Sequence, residues 1–213
     1  KDDCERLGLI KIDLLGLGMM AALEEAMEIM AERGTPVDLA NLPHDDPAVY
    51  EAAQRADTVG VFQIESRAQI QSLLHSRPER LYDLVAQVAL IRPGPIQAKF
   101  VHPYTRRRRG LEPVTYPHPA LEPILKRTQG VPIFQEQAMA IAMELGGFRA
   151  ADADALRRAM GHQMKLPRLQ ASLQLLPRRM IERGVDAEAA DRITEDLLSF
   201  SNYGFPESHA WSF

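Results

Sequence analysis

The chain has 213 residues and a mass of 23.8 kDa, with 46% hydrophobic and 25% charged residues, a composition that excludes disordered and collagen-like chains. No stretch reaches the roughly 18 unbroken apolar residues that a membrane-spanning helix needs, because the most apolar part, Leu84 to Ile91, is interrupted by Gln87. The formal charge of −4 hides an asymmetry: residues 1–91 hold 8 basic and 16 acidic side chains, residues 92–183 hold 16 and 7, and residues 184–213 hold 1 and 6.

The cationic middle either attracts a phosphate-bearing partner or meets acids from the flanking segments. The one cysteine, Cys4, closes no internal disulfide by itself, which fits a reducing cytosol. The charged residues Lys1 to Arg6 are not an export signal. With no initiator Met and an apolar run at Ser212 and Phe213, the chain reads as a piece of a longer protein.

In chain order, Ile10-Lys11-Ile12-Asp13-Leu14 alternates apolar and polar residues, the pattern of a strand with one buried face. From Gly18 the period changes: Met19, Met20, Leu23, Ala26, Met27 and Met30 recur at helical spacing until Gly34 and Pro36 end it. A helix is expected over Asp45 to Gln54 and a short strand over Val59 to Ile64. Further helices are expected at about 67–76, 79–91, 96–109, 119–126, 133–146, 150–160, 168–183, 186–200 and from 207 on, punctuated by Pro and Gly. Gly110 to Pro119, with three prolines, is the nearest approach to a linker. The chain is mainly α, one helical domain preceded by the edge of a mixed α+β domain.

Four places carry candidate chemistry. Asp13 stands on the polar face of an apolar strand, where a carboxylate suits a hard divalent cation; pairing with Lys11 is the alternative. Arg157 and Arg158 close a short helix. Two guanidinium groups there either converge on a bulky anion such as a triphosphate, or one pairs with Asp154 and the other is solvated. Arg106-Arg107-Arg108-Arg109 ends a helix before Gly110, where cations complement the helix dipole and also suit a nucleic-acid backbone. Ser208 and His209 open the last helix without the third member that a hydrolase triad requires. Walker A, dinucleotide-binding and zinc-ligand patterns are absent.

Six collinear motifs then identify a family. They are Lys11-Ile12-Asp13-Leu14-Leu15-Gly16-Leu17, Gly60-Val61-Phe62-Gln63-Ile64-Glu65-Ser66, Arg92-Pro93-Gly94-Pro95, Gln135-Glu136-Gln137, Leu156-Arg157-Arg158-Ala159-Met160-Gly161 and Tyr203-Gly204-Phe205. In this order they resemble the bacterial C-family DNA polymerases, comprising the α subunit of DNA polymerase III and its error-prone relatives, over essentially the whole chain. Phe205-Pro206-Glu207-Ser208-His209 and Tyr116-Pro117-His118-Pro119 are more similar to the error-prone branch.

The resemblance implies that residues 1–34 are the C-terminal part of a nucleotidyltransferase-type palm and residues 35–213 a helical fingers domain. It implies template-directed DNA synthesis by two-metal phosphoryl transfer, in translesion synthesis during DNA damage repair. Asp13 would be the catalytic metal ligand, sharing two Mg²⁺ ions with two aspartates upstream of Lys1. Lys11, Arg157, Arg158, Ser208 and His209 would face the incoming nucleotide; for Arg106, Arg107, Arg108 and Arg109 the DNA-backbone contact rests on the run of charge itself, beside the helix-dipole reading. Primer-template DNA and deoxynucleoside triphosphates are the implied partners, with the sliding clamp and other accessory proteins recruited through other regions. The implied location is the bacterial cytoplasm, at the nucleoid. The fragment alone is expected to be inactive. The alternatives are a replicative α subunit and a non-catalytic nucleic-acid-binding module.

Two departures accompany the resemblance. His162-Gln163-Met164 stands after Gly161 where the family is more basic, which argues against phosphate contacts there. Trp211 replaces a small residue, and reads either as a surface indole or as an altered end.

Overall fold

The computed structural model describes residues 6–10, 15–43, 46–91, 98–160, 166–201 and 204–213. Eleven α-helices are present among them: α1 (Leu15–Glu32), α2 (Pro47–Gln54), α3 (Arg67–Ser76), α4 (Leu81–Leu90), α5 (Ala98–Arg108), α6 (Glu122–Leu125), α7 (Gln135–Glu144), α8 (Ala150–Ala159), α9 (Leu166–Glu182), α10 (Ala187–Ser201) and α11 (Glu207–Ser212). The segment expected as one helix at 119–126 is broken into the short α6 flanked by two 3₁₀ turns, Pro119–Leu121 and Lys126–Thr128.

Helix starts follow local chemistry. Asp46 Oδ1 accepts from Ala48 N–H at 2.9 Å ahead of Pro47, and Asp186 Oδ2 accepts from Glu188 N–H at 3.0 Å and Ala189 N–H at 3.2 Å. Each carboxylate satisfies N–H groups that the first turn leaves without helical partners. Ser66 and Gln69 cap α3 reciprocally.

No strand is present among the described residues. The expected strand over Val59 to Ile64 is instead a tight loop. Gly60 has φ +83° and Gln63 φ +64°, both incompatible with an extended chain. The hydroxyl of Thr58 donates to Ile64 O at 2.7 Å and the Gly60 N–H to Glu65 Oε2 at 3.0 Å, closing the loop on itself. A short apolar run looks alike in a buried strand and a buried loop, and among the described residues no strand pairs with it. The other expected strand is described only at Ile10, which is irregular; Lys11, Ile12, Asp13 and Leu14 lie outside the described residues, as does Arg92-Pro93-Gly94-Pro95.

The main core gathers Val85, Ala86 and Ala89 of α4, Tyr104 of α5, Ala138, Ile141 and Ala142 of α7, Leu156 of α8, Leu176 and Met180 of α9, and Ile193, Leu197 and Phe200 of α10. A smaller core of Ala53, Ile64, Leu73 and Val88 lies under Phe205 and Phe213. Apolar positions at helical spacing thus close on one interior, the usual outcome for amphipathic helices. α1 differs. Leu17, Met20, Leu23, Ile29 and Met30 are exposed, and no residue of α1 whose side chain is described is buried.

Candidate functional site

The paired arginines end α8, whose inner face is anchored by the buried Ala153 and Leu156. Adjacent helical residues point about 100° apart, yet both side chains reach one carboxylate. Arg157 Nε and Nη2 donate to Asp154 Oδ1 at 3.0 and 2.9 Å, and Arg158 Nη2 lies 2.7 Å from Asp154 Oδ2. Asp154 stands three residues before one arginine and four before the other, the two spacings that bring side chains together on a helix. The sequence allowed one arginine to pair with Asp154 and one to be solvated; the structure pairs both. Side-chain exposures of 40% for Arg157 and 63% for Arg158 keep the two guanidinium groups open to solvent.

Ser208 and His209 lie in α11, exposed. The imidazole of His209 stands 5.2 Å from the Phe205 ring and 4.6 Å, edge-on, from that of Phe213, and Phe213 also meets Phe62 at 5.4 Å. The Gly60–Ser66 and Gly204-Phe205 motifs therefore meet at this short helix.

The Gln135-Glu136-Gln137 motif reaches the same helix, through backbone contacts the sequence could not display. Gln135 donates its N–H to Phe205 O at 3.0 Å and its side-chain amide to Gly204 O at 2.9 Å, and Glu136 Oε2 accepts from Glu207 N–H at 3.0 Å. Phe134 and Phe205 form an isolated parallel bridge. Gln137 turns inward. Its oxygen accepts from Ile133 and Phe134 N–H, and its nitrogen donates to Ile124 O and Thr128 Oγ1, so a buried amide is fully satisfied.

Beside these motifs, Arg127 lies 3.8 Å above the Tyr82 ring and 3.4 Å from Glu207 Oε1, a cation held by a ring face and a carboxylate. Burial, followed by the charge of Glu207, pushes the Tyr82 phenol well above its ordinary range. Trp211 packs on Tyr82 at 5.8 Å and is 44% exposed, so the indole is accommodated at the surface.

The four consecutive arginines divide by direction. Arg108 is nearly buried and grips Asp83 with two 2.7 Å contacts while donating to Ser76 O and Arg77 O. Arg107 contacts Glu112 at 3.2 Å and Gln129 O at 3.0 Å. Arg106 pairs with Glu112 while remaining exposed; Arg109 is exposed and has no ion-pair partner among the described residues. Arg107 and Arg108 thus brace the fold, and Arg106 and Arg109 face outward.

Lys11 and Asp13 lie outside the described residues. Among the described residues, no three His, Cys, Asp or Glu side chains gather in a way that would hold a metal ion, and none of the helices is long and apolar enough to cross a membrane.

The sequence matches the family model of the bacterial DNA polymerase III alpha subunit finger domain over residues 19–184. The chain belongs to this polymerase family. It is 56% identical to the error-prone DNA polymerase of Nocardia farcinica, 54% to that of Mycolicibacterium paratuberculosis and 53% to that of Methylococcus capsulatus, in each case over 100% of this chain. It covers 19%, 20% and 20% of those proteins, and so spans about a fifth of their length. Within the C-family it falls on the error-prone branch, the one that residues 205–209 and 116–119 resemble.

Proposed function

We propose that the chain is the end of the palm, residues 1–34, and the fingers, residues 35–213, of an error-prone, template-directed DNA polymerase that acts in translesion synthesis. The observation that carries this reading is the convergence of the half-buried Arg157 and the exposed Arg158 on one carboxylate at the end of α8. Guanidinium groups bind phosphate oxygens through planar, permanently charged forks. Two of them held together suit the triphosphate of an incoming deoxynucleotide, and Lys11, Ser208 and His209 complete the nucleotide-facing set.

Asp13 is the metal ligand in this reading. A single carboxylate is a suitable hard donor for Mg²⁺ but does not make a two-ion site alone; the remaining donors come from outside residues 1–213. Bound there, the two ions would neutralise charge on the reacting phosphate and the departing pyrophosphate. The arginines hold the triphosphate in line and reduce the orientational freedom it must lose before reaction. Arg106 and Arg109 contact primer-template backbone. The longer protein works in the bacterial cytoplasm at the nucleoid, with the sliding clamp bound elsewhere.

The test is Mg²⁺-dependent primer extension by the full-length protein and its Asp13→Asn variant, on an undamaged template and on one with an abasic site. The expected result is extension past the abasic site by the wild type, with loss of extension and retained DNA affinity in the variant. Extension by the variant would remove Asp13 from the metal site. Accurate extension that stops at the abasic site would favour a replicative role, and no extension by the wild type a non-catalytic binding module.

A further inference from the structure

We infer that Asp154 is a positioning residue for the arginine pair, setting the geometry in which Arg157 and Arg158 meet a triphosphate; the inference rests on the nucleotide-facing role proposed for that pair. Asp154 pairs with both groups. They leave the helix about 100° apart, and two adjacent cations repel unless a shared anion stands between them. Asp154 offers one oxygen to each: Oδ1 takes Nε and Nη2 of Arg157 at 3.0 and 2.9 Å, and Oδ2 takes Nη2 of Arg158 at 2.7 Å.

The arrangement does two things. It removes much of the side-chain freedom that two long, half-solvated arginines would otherwise lose only on binding nucleotide, so that binding is weakened less by ordering. It also uses few donors. The carboxylate engages Nε and one Nη2 on one guanidinium and a single Nη2 on the other, so most N–H groups of the pair are not engaged by it. Asp154 is itself partly exposed, with a side-chain exposure of 36%, so it sits at the rim of the pair rather than beneath it. Its negative charge opposes a triphosphate, and this opposition separates the inference from simple competition: a competitor weakens nucleotide use, whereas an orienting carboxylate improves it.

The experiment measures steady-state nucleotide incorporation by the full-length protein carrying Asp154→Ala, Asp154→Asn, Asp154→Glu, Arg157→Ala or Arg158→Ala. The salt dependence of DNA binding and the thermal melting of each variant are recorded alongside. The expected result is a nucleotide KM raised about tenfold by Asp154→Ala and Asp154→Asn, from the regained freedom of two side chains, with kcat within about twofold of wild type. Asp154→Glu should bring KM back toward the wild-type value, because a carboxylate one methylene longer still spans both arginines. DNA binding should keep its salt dependence.

A KM unchanged or lowered by Asp154→Ala and Asp154→Asn, while the arginine variants raise it, overturns the role of Asp154 and leaves the proposed function of the pair intact. A KM unchanged in Arg157→Ala and Arg158→Ala removes the triphosphate contact, and the role of Asp154 falls with it. A lowered melting temperature in Asp154→Asn with kcat and KM both disturbed marks a merely structural carboxylate, and also overturns the inference.

Discussion

Gly204 shows how closely single residues determine the region around α11. A Cβ at this position would lie 2.8 Å from Gln135 Cγ and 3.0 Å from two atoms of the Phe200 ring. Phe200 is almost fully buried and Gln135 is fixed by its hydrogen bond to Gly204 O, so neither neighbour can retreat freely. Gly204→Ala is expected to cost about 1–3 kcal/mol, the usual range for overpacking, read as a shift in the urea midpoint of the 213-residue chain. An unchanged midpoint would show that the Gln135 side chain yields. The glycine was visible in the sequence as part of a motif, but its reason was not, because Gln135 is far away along the chain. Asp154 stands at i−3 and i−4 from the arginines, a spacing legible in the sequence. That spacing fixed a possible partner and left open whether one arginine or both would take it. The inward turn of Gln137 had no signal in the sequence, because the donors of its amide need Ile124 O and Thr128 Oγ1, which an earlier segment contributes.

At the scale of elements, α5 joins a predicted helix to an outcome the sequence left open. Its basic end was expected either to complement the helix dipole or to contact DNA, and the observed helix gives its members different surroundings. Arg108, with a side chain 10% exposed, forms a two-pronged pair with the 3% exposed Asp83, which also accepts Glu79 and Arg80 N–H at 2.9 and 3.1 Å. Breaking such a pair leaves a buried carboxylate with only the longer contact of the more exposed Arg80, at 3.4 Å, as its cation. Arg108→Met is therefore expected to cost about 3–5 kcal/mol of folding stability, measured by chemical denaturation. Arg109→Ala should leave stability within about 0.5 kcal/mol and instead lower the salt slope of DNA binding by the full-length protein by roughly 0.9 for each phosphate that is no longer neutralised. A stable Arg108→Met with a reduced salt slope would reverse this division. Helix positions were mostly legible, because apolar residues at three- and four-residue spacing mark them and Pro, Gly, Asp and Ser mark their ends. The loop at Val59 to Ile64 was not, since its apolar run carries no sign of the positive φ at Gln63.

For the molecule as a whole, burial decides how stability depends on pH. Tyr104 is 1% exposed, and its phenol is pushed up to about 12 by burial first and then by the charge of Asp83, with Arg108 acting in the opposite direction. An unfolded tyrosine ionises near 10, so above that pH the unfolded state releases a proton that the folded state retains. The stability linked to Tyr104 is thus fully present below about pH 10 and is lost as pH rises toward about 12, at roughly 1.4 kcal/mol per pH unit. Tyr82, raised in the same direction, adds to the slope. Urea denaturation at intervals from about pH 9 to about pH 12 should show the decline, and Tyr104→Phe should flatten part of it. A slope unaltered by that variant would exclude Tyr104 as its source.

The same scale separates what the chain declares from what folding adds. Composition and helical periodicity determined a mainly helical domain, and six ordered motifs its resemblance to the fingers of C-family polymerases, because local propensity and motif order are written along the chain. Only the tertiary structure decided that Arg107 and Arg108 brace the fold while Arg106 and Arg109 face outward. It also decided that the motifs at 60–66, 135–137 and 204–205 meet beside α11, and that α1 keeps Leu17, Met20, Leu23, Ile29 and Met30 exposed. Each of these depends on which distant segments share a surface, and that follows from the joint burial of many side chains rather than from the pattern of any one segment.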